Sequence, residues 1–271
     1  MIRSLYTAAS GMKTQQMNVD TISNNLANVN TTGFKKERLE FKSLLYETLE
    51  RAGTDANGKG RPVNLQVGHG VKPVGTVRNY TGGIMQKTAN PLDVAITGDG
   101  FFVIDDLAGG QVYTKDGSFK IALVEGQQML ITSDGRKVLD VNDEPIMLDS
   151  TIDIKKLGIN ADGTLSYVGS DDEVIQLDER IKIVQFRNVN GLEALGSNLY
   201  RTTAASGPAI AEAEDDELVM SQLIQGSLEG SNVQVVEEMV GLIVAQRAYE
   251  VSSKAIQASD EMLSQANNLK R

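Results

Sequence analysis

The chain carries one histidine, His69, set between Gly68 and Gly70, and no cysteine. A catalytic or metal-bound histidine needs convergent partners, and a lone imidazole without thiolates is a poor ligand set, so His69 reads as a loop residue. Without cysteine there is no disulfide framework, thiolate zinc site or thiol nucleophile. The stretch Gly98-Asp-Gly-Phe101 shares two glycines with a nucleotide loop but lacks the third glycine and a phosphate-binding lysine; it reads as a turn. Residues 140–144 and 171–173 are acidic clusters without the alternating ligands, central glycine and terminal glutamate of an EF-hand, and read as solvated surface. No Gly-x-Ser-x-Gly elbow occurs, and nothing singles out a glycosidase-type pair of carboxylates. Arg247 and Glu250, three apart in a helical pattern, read as interface ion-pairing residues. No catalysis, metal or cofactor is expected.

What stands out instead is apolar and periodic. Between residues 232 and 269 there is no proline and one glycine, Gly241. Val235, Leu242, Tyr249, Ile256 and Leu263 recur every seven residues, the seam of a long helix that supercoils against others. Their companions are small or polar: Ala245, Ser252, Ser259 and Ala266 on one side, Gln246, Ser253, Asp260 and Asn267 on the other. A self-sufficient two-stranded coil would place Leu or Ile there. The pattern therefore predicts a helix that packs closely into a crowded array and depends on it.

The N-terminus repeats the period. Leu5, Met12, Val19 and Leu26 are seven apart, with Ala8, Gln15, Ile22 and Val29 three behind each. Asn24, Asn25, Asn28 and Asn30 crowd the far end, and Gly33 reads as a helix C-cap in left-handed geometry. Thr14, Gln15 and Gln16 interrupt any apolar run, so a cleaved signal peptide is not expected. The longest apolar run, 239–245, has 7 residues, against the roughly 20 a membrane span needs.

The formal charge of −10 is uneven. Residues 1–50 hold 6 basic and 5 acidic residues and 231–271 hold 4 and 5, so the middle carries the excess acid. Near-neutral ends suit packing on copies of themselves; an acidic middle argues against nucleic acid or anionic lipid. All five prolines fall in the middle, where alternation changes to period two, as in Val63-x-Leu65-x-Val67 and Ile181-x-Ile183. Asp99-Gly100, Asp116-Gly117, Asp134-Gly135 and Asp162-Gly163 read as type I′ hairpin turns in an antiparallel all-β domain. Residues 34–49 read as helical, 50–62 as a flexible polar loop, and 205–217 as a solvated loop.

Two terminal stretches resemble a known family. Ile22-Ser-Asn-Asn-Leu-Ala-Asn-Val-Asn-Thr-Thr-Gly-Phe-Lys35 is similar to the N-terminal signature of bacterial flagellar rod and hook proteins. Ser231-Asn-Val-Gln-Val-Val-Glu-Glu-Met-Val-Gly-Leu-Ile-Val-Ala-Gln-Arg-Ala-Tyr-Glu250 resembles their C-terminal motif. Leu92-Asp-Val-Ala-Ile-Thr-Gly-Asp-Gly-Phe-Phe102 and Tyr113-Thr-Lys-Asp-Gly-Ser-Phe119 are similar to the central segments. Met1-Ile-Arg-Ser-Leu5 and Phe41-x-x-Leu-Leu-Tyr-Glu-Thr-Leu49 look most like the distal-rod branch, in which 50–62 falls at an insertion that the resemblance implies stiffens a straight rod.

The resemblance implies a helical tube whose paired terminal helices line a channel, in the basal body of the flagellum, reached by export without a cleaved signal. It implies copies of the chain as partners, with proximal rod and hook subunits at the ends, ring or bushing proteins around it, and the flagellar export apparatus. The expected fold is α+β: coiled-coil-type helices from 1–33 and 231–271 paired together, a connecting segment 34–74, and an antiparallel β domain 75–230. Self-assembly is expected through Leu5, Met12, Val19, Ile22, Asn24, Asn25, Leu26, Asn28, Val29, Gly33 and Phe34, and through Val235, Met239, Leu242, Arg247, Tyr249, Ile256 and Leu263. The alternatives are a proximal-rod or other rod/hook paralogue and, in a different class, a cell-wall-binding β domain with oligomerising helices.

Overall fold

A computed structural model describes residues 2–54, 60–61, 63–106, 109–124, 126–149, 152–169, 173–213 and 218–268. It is mixed helix and strand, and it divides into two compact units: Met1–Ala27, Glu37–Arg78 and Gln234–Arg271 form unit 1, and Asn28–Lys36 with Asn79–Val233 form unit 2.

Unit 1 holds both helices, α1 (Ile2–Ala27) and α2 (Val235–Asn268). At 34 residues α2 is roughly 51 Å long, and Glu237 and Glu238 in its first turn complement the positive end of its dipole. The helices run antiparallel. Ser4 meets Ser259 with hydroxyl oxygens 3.3 Å apart, and Asn25 donates to Glu238 Oε2 at 3.1 Å. A Cβ on Gly11 would lie 3.3 Å from Ser252 Oγ, and one on Gly241 3.5 Å from Ile22 Cδ1. Each step along α1 is matched by an equal step back along α2, so the register is constant over the shared length.

The rest of unit 1 corrects the helical reading of 34–49. Strands β1 (Glu37–Ser43), β2 (Tyr46–Glu50), β3 (Gly53–Thr54), β4 (Gly60–Arg61), β5 (Leu65–Gly68) and β6 (Val71–Arg78) pair antiparallel as β1–β6, β2–β5 and β3–β4. With Leu44 N–H donating to Gly70 O between the first two pairs, they form one two-stranded ribbon with bulges at Glu40/Phe41 and Thr48/Glu50. Long-range pairing with 65–78 overrides the local helical spacing of Leu39, Leu45 and Leu49. Part of the stretch 50–62 is therefore ribbon rather than loop; residues 55–59 and 62 lie outside the described residues.

Unit 2 is antiparallel throughout. Its strands are β7 (Met85–Lys87), β8 (Val94–Thr97), β9 (Phe101–Asp105), β10 (Gln111–Thr114), β11 (Lys120–Val124), β12 (Gln127–Ile131), β13 (Met147–Leu148), β14 (Leu157–Ile159), β15 (Thr164–Val168), β16 (Val174–Arg180), β17 (Ile183–Gln185), β18 (Glu193–Gly196), β19 (Leu199–Arg201), β20 (Ile210–Ala211), β21 (Gln222–Gln225) and β22 (Ser227–Glu229). A six-stranded sheet in the order β18-β19-β10-β9-β17-β20 is accompanied by three-stranded sheets β11-β12-β13 and β14-β15-β16 and by the pairs β8–β21 and β7–β22.

Alternation on the central strands sorts the core. Phe102, Ile104, Val112, Ile183 and Leu199 point into one cluster with Val94, Leu130 and Leu165; Phe101, Val103, Tyr113, Val184 and Tyr200 point into another with Phe186. Both faces are covered, which is why β9 reads as the unbroken apolar run Phe-Phe-Val-Ile.

The Asp-Gly reading is half right. Asp134-Gly135 and Asp162-Gly163 close hairpins, with Thr132 N–H bonded to Arg136 O and Asn160 N–H to Thr164 O. Only their glycines adopt positive φ, so the turns are not type I′. Asp99-Gly100 and Asp116-Gly117 join strands that pair with other partners. The tight turn with two residues at positive φ is Ser197-Asn198, which no Asp-Gly pair announces. No helix among the described residues is long and apolar enough to cross a membrane.

Candidate assembly surface

Unit 1 buries little of its own apolar surface: among its described residues only Ile22, Leu39 and Ala245 are fully buried hydrophobics. The closest approach of the helices runs through the small companion residues, with Ala245 and Ser259 buried. The larger seam residues Leu242, Ile256 and Leu263 are half-buried beside them. Small side chains let the backbones approach; large ones at those positions would hold them apart. On α1, Leu5, Met12, Val19 and Leu26 are likewise half-buried, and Ile22 is buried.

The outer surface of α2 is apolar. Val236, Val240, Val244 and Val251 are 74, 56, 61 and 66% exposed, and Ile243 is also open. They fall on one stripe, with Arg247 inside it. Met239 is exposed on the flank of that stripe, and Val235 and Tyr249, in the seam row of Leu242, are 40 and 41% exposed. Neither Arg247 nor Glu250 makes an ion pair with another described residue. A soluble helix normally presents charge on such a face. The ribbon is similar: Leu45 is 87% exposed, and Leu49, Val63 and Leu65 are open.

The asparagine-rich corner divides between the units. Asn25 is buried on α1; its Oδ1 accepts from Glu37 N at 2.9 Å and its Nδ2 donates to Glu37 O at 2.8 Å and to Glu238. One side-chain amide thus pairs with a strand backbone and reaches α2. Asn24 is exposed, and Asn28 and Val29 lie half-buried beyond the helix end. Thr31 N–H and hydroxyl close a turn on Asn28.

Gly33 does have positive φ (68°), but α1 ends at Ala27, so it is not the helix C-cap. Its left-handed backbone lets it lie against 115–116, where an added Cβ would sit 2.9 Å from Asp116 N, and its N–H donates to Glu229 O at 2.8 Å. Phe34 is buried in unit 2.

Sequence reasoning missed the charges beside it. Lys35 and Glu229 form a fully buried ion pair at 2.7 Å; Lys35 Nζ also donates to Thr81 O, and Glu229 Oε1 also accepts from Gly83 N. Lys115, also buried, lies over the Phe101 ring and donates to Gly98 O. Burial first, and the nearby Lys35 charge second, push the Lys115 ammonium down to about 8. Isolated lysines in a sequence carry no sign of burial; only the fold supplies it.

The remaining polar candidates take structural positions. His69 is 3.7 Å from Glu47, which pairs with Arg3. Asp140 is buried and accepts from Arg180 N and from Asn142, shaping a turn. Residues 171–172 and 214–217 lie outside the described residues. No group of three or more potential ligands among the described residues could hold a metal ion.

Comparison with known proteins covers the whole chain. Residues 5–35 match a model described as flagella basal body rod protein, 95–167 the flagellar hook protein FlgE/F/G D1 domain, and 224–269 the flagellar basal body rod FlgEFG protein C-terminal. The chain is 51% identical to the flagellar basal-body rod protein FlgG of Borreliella burgdorferi over 100% of both chains. In Bacillus subtilis it is 40% identical to FlgG but 33% identical to the flagellar hook-basal body complex protein FlhP, each over 100% of both chains. The agreement runs the full length and is stronger with FlgG than with FlhP of the same organism. The chain belongs to the flagellar basal-body rod and hook family, as a non-enzymatic structural subunit of the distal-rod, FlgG type.

Proposed function

We propose that the chain polymerises into the rod through unit 1, its helices supercoiling with those of neighbouring copies in coiled-coil fashion, and that the resulting tube carries torque. The single observation behind this reading is the exposed valine stripe of α2 on a helix whose opposite side is already closed by α1. A non-closing contact between that stripe and a different surface of the next copy propagates as a filament. The ribbon supports the same reading, since a two-stranded sheet with open apolar side chains is marginal until something covers it. Proximal rod and hook subunits would meet the two ends of the tube, ring or bushing proteins its outside, and the export apparatus the chain before it folds.

Val244→Asp tests this. The side chain already faces solvent, so the monomer should keep its thermal transition. Placing a carboxylate in a closed apolar contact costs several kcal/mol, so the critical concentration for polymerisation should rise at least about a hundredfold. Unchanged polymerisation in sedimentation assays would rule the stripe out as the contact.

A further inference from the structure

The polypeptide passes between the two units at four places, and three of them meet at one side chain in unit 2. Lys36 is the last residue before β1, Asn79 the first after β6, and Val233 the last before the segment leading into α2. Asn232 Oδ1 accepts from Lys36 N at 2.8 Å, and its Nδ2 donates to Asn79 O at 2.8 Å and Thr81 O at 3.1 Å. Asn79 N in turn donates to Lys36 O at 2.9 Å. We propose that Asn232 is a load-sharing clasp that binds these three crossings into one bundle, so that force arriving along any of them is divided among all.

This deepens the polymer reading and rests on it for the word load; the clasp itself stands on unit 2 alone. An amide is the group that fits: the same side chain must accept from one backbone and donate to two others. Aspartate has the same shape but no donor, and it would face the Asn79 and Thr81 carbonyls with negative charge. The adjacent Lys35–Glu229 pair, which shares Thr81 O as an acceptor, holds the neighbouring turn but touches neither Lys36 nor Asn79 in this way.

The test uses full-length protein carrying Asn232→Asp or Asn232→Ala, followed by amide hydrogen exchange. The telling amide is Asn79, which donates to Lys36 and not to Asn232. The clasp requires about tenfold faster exchange there in both variants, the equivalent of losing one or two net hydrogen bonds. The core amides of Val103 and Leu139 should not change. Unchanged exchange at Asn79 overturns the clasp; equal acceleration at Val103 and Leu139 overturns it too, by making Asn232 a general stability residue.

Polymers of wild type and Asn232→Asp are then sheared identically, and the variant should break to shorter lengths at equal assembled mass. Equal length distributions overturn load sharing. A wild-type chain that does not polymerise refutes the polymer reading instead, and the exchange result still decides the clasp.

Discussion

Replacing Lys35 by methionine isolates the buried ion pair. Lys35 and Glu229 are 1% and 2% exposed, so neither charge is relieved by water when the other is removed. In Lys35→Met the Glu229 carboxylate keeps, among the described residues, only the Gly83 N–H as a hydrogen-bond donor, and its Oε2 already has no hydrogen-bond partner there. Removing one member of such a pair costs about 3–5 kcal/mol. For a unit of this size that lowers the melting temperature by roughly 6–20 °C.

Calorimetry on the full-length protein reads the loss as a shift of the transition of unit 2. The second variant, Lys35→Met/Glu229→Gln, removes the stranded charge while keeping an acceptor for Gly83, and should recover more than half of the loss. Pairing in a dry site is screened weakly, so the single-variant shift should persist in high salt. A shift under about 3 °C, or no recovery in the double variant, would refute the reasoning, because either result means the carboxylate found water or another partner.

Three further outcomes follow from the geometry. Lys115 titrates at about 8 in the folded chain and at its ordinary 10.5 when unfolded, so between these values the unfolded state holds more protons and stability rises with pH. The gain from pH 8 to 9.5 should be roughly 2 kcal/mol in urea melts, absent in Lys115→Met. Tyr113 is pushed up from its ordinary value, by burial first and then by Asp143. Asn25→Asp removes both donations and sets a carboxylate against Glu238; helix content by circular dichroism and polymer yield should fall while the unit 2 transition stays in place. Gly33→Ala should cost about 2–4 kcal/mol through positive φ plus the close Asp116 backbone. Gly135→Ala, at φ 79° with nothing within 4 Å, should cost only about 1 kcal/mol in the same melts.

Helices were legible because their signal is local: no proline across α2 and apolar residues at seven-residue spacing. Strands 37–50 were not, because what decides them is a partner 15 to 41 residues away along the chain. The heptads located the face that α2 turns toward α1, but not that Ala245 and Ser259, rather than the larger seam residues, are buried in that contact. Spacing gives direction around a helix, whereas separation depends on the residue opposite. Gly33 showed the same limit: its left-handed backbone could be read from residue type, its packing role against Asp116 could not. Lys35, Glu229 and Asn232 have no periodicity at all, and they matter only because the chain brings distant segments together.

The meeting of three chain crossings at Asn232 has an evolutionary consequence. When the entrances and exits of a module are tied to one another, what lies beyond them is free to vary in length and decoration. An exposed turn such as 133–135 can accept insertions, or the whole β unit can be exchanged as a cassette. The terminal helices would inherit the same starting points each time, so one helical scaffold could carry many different β units.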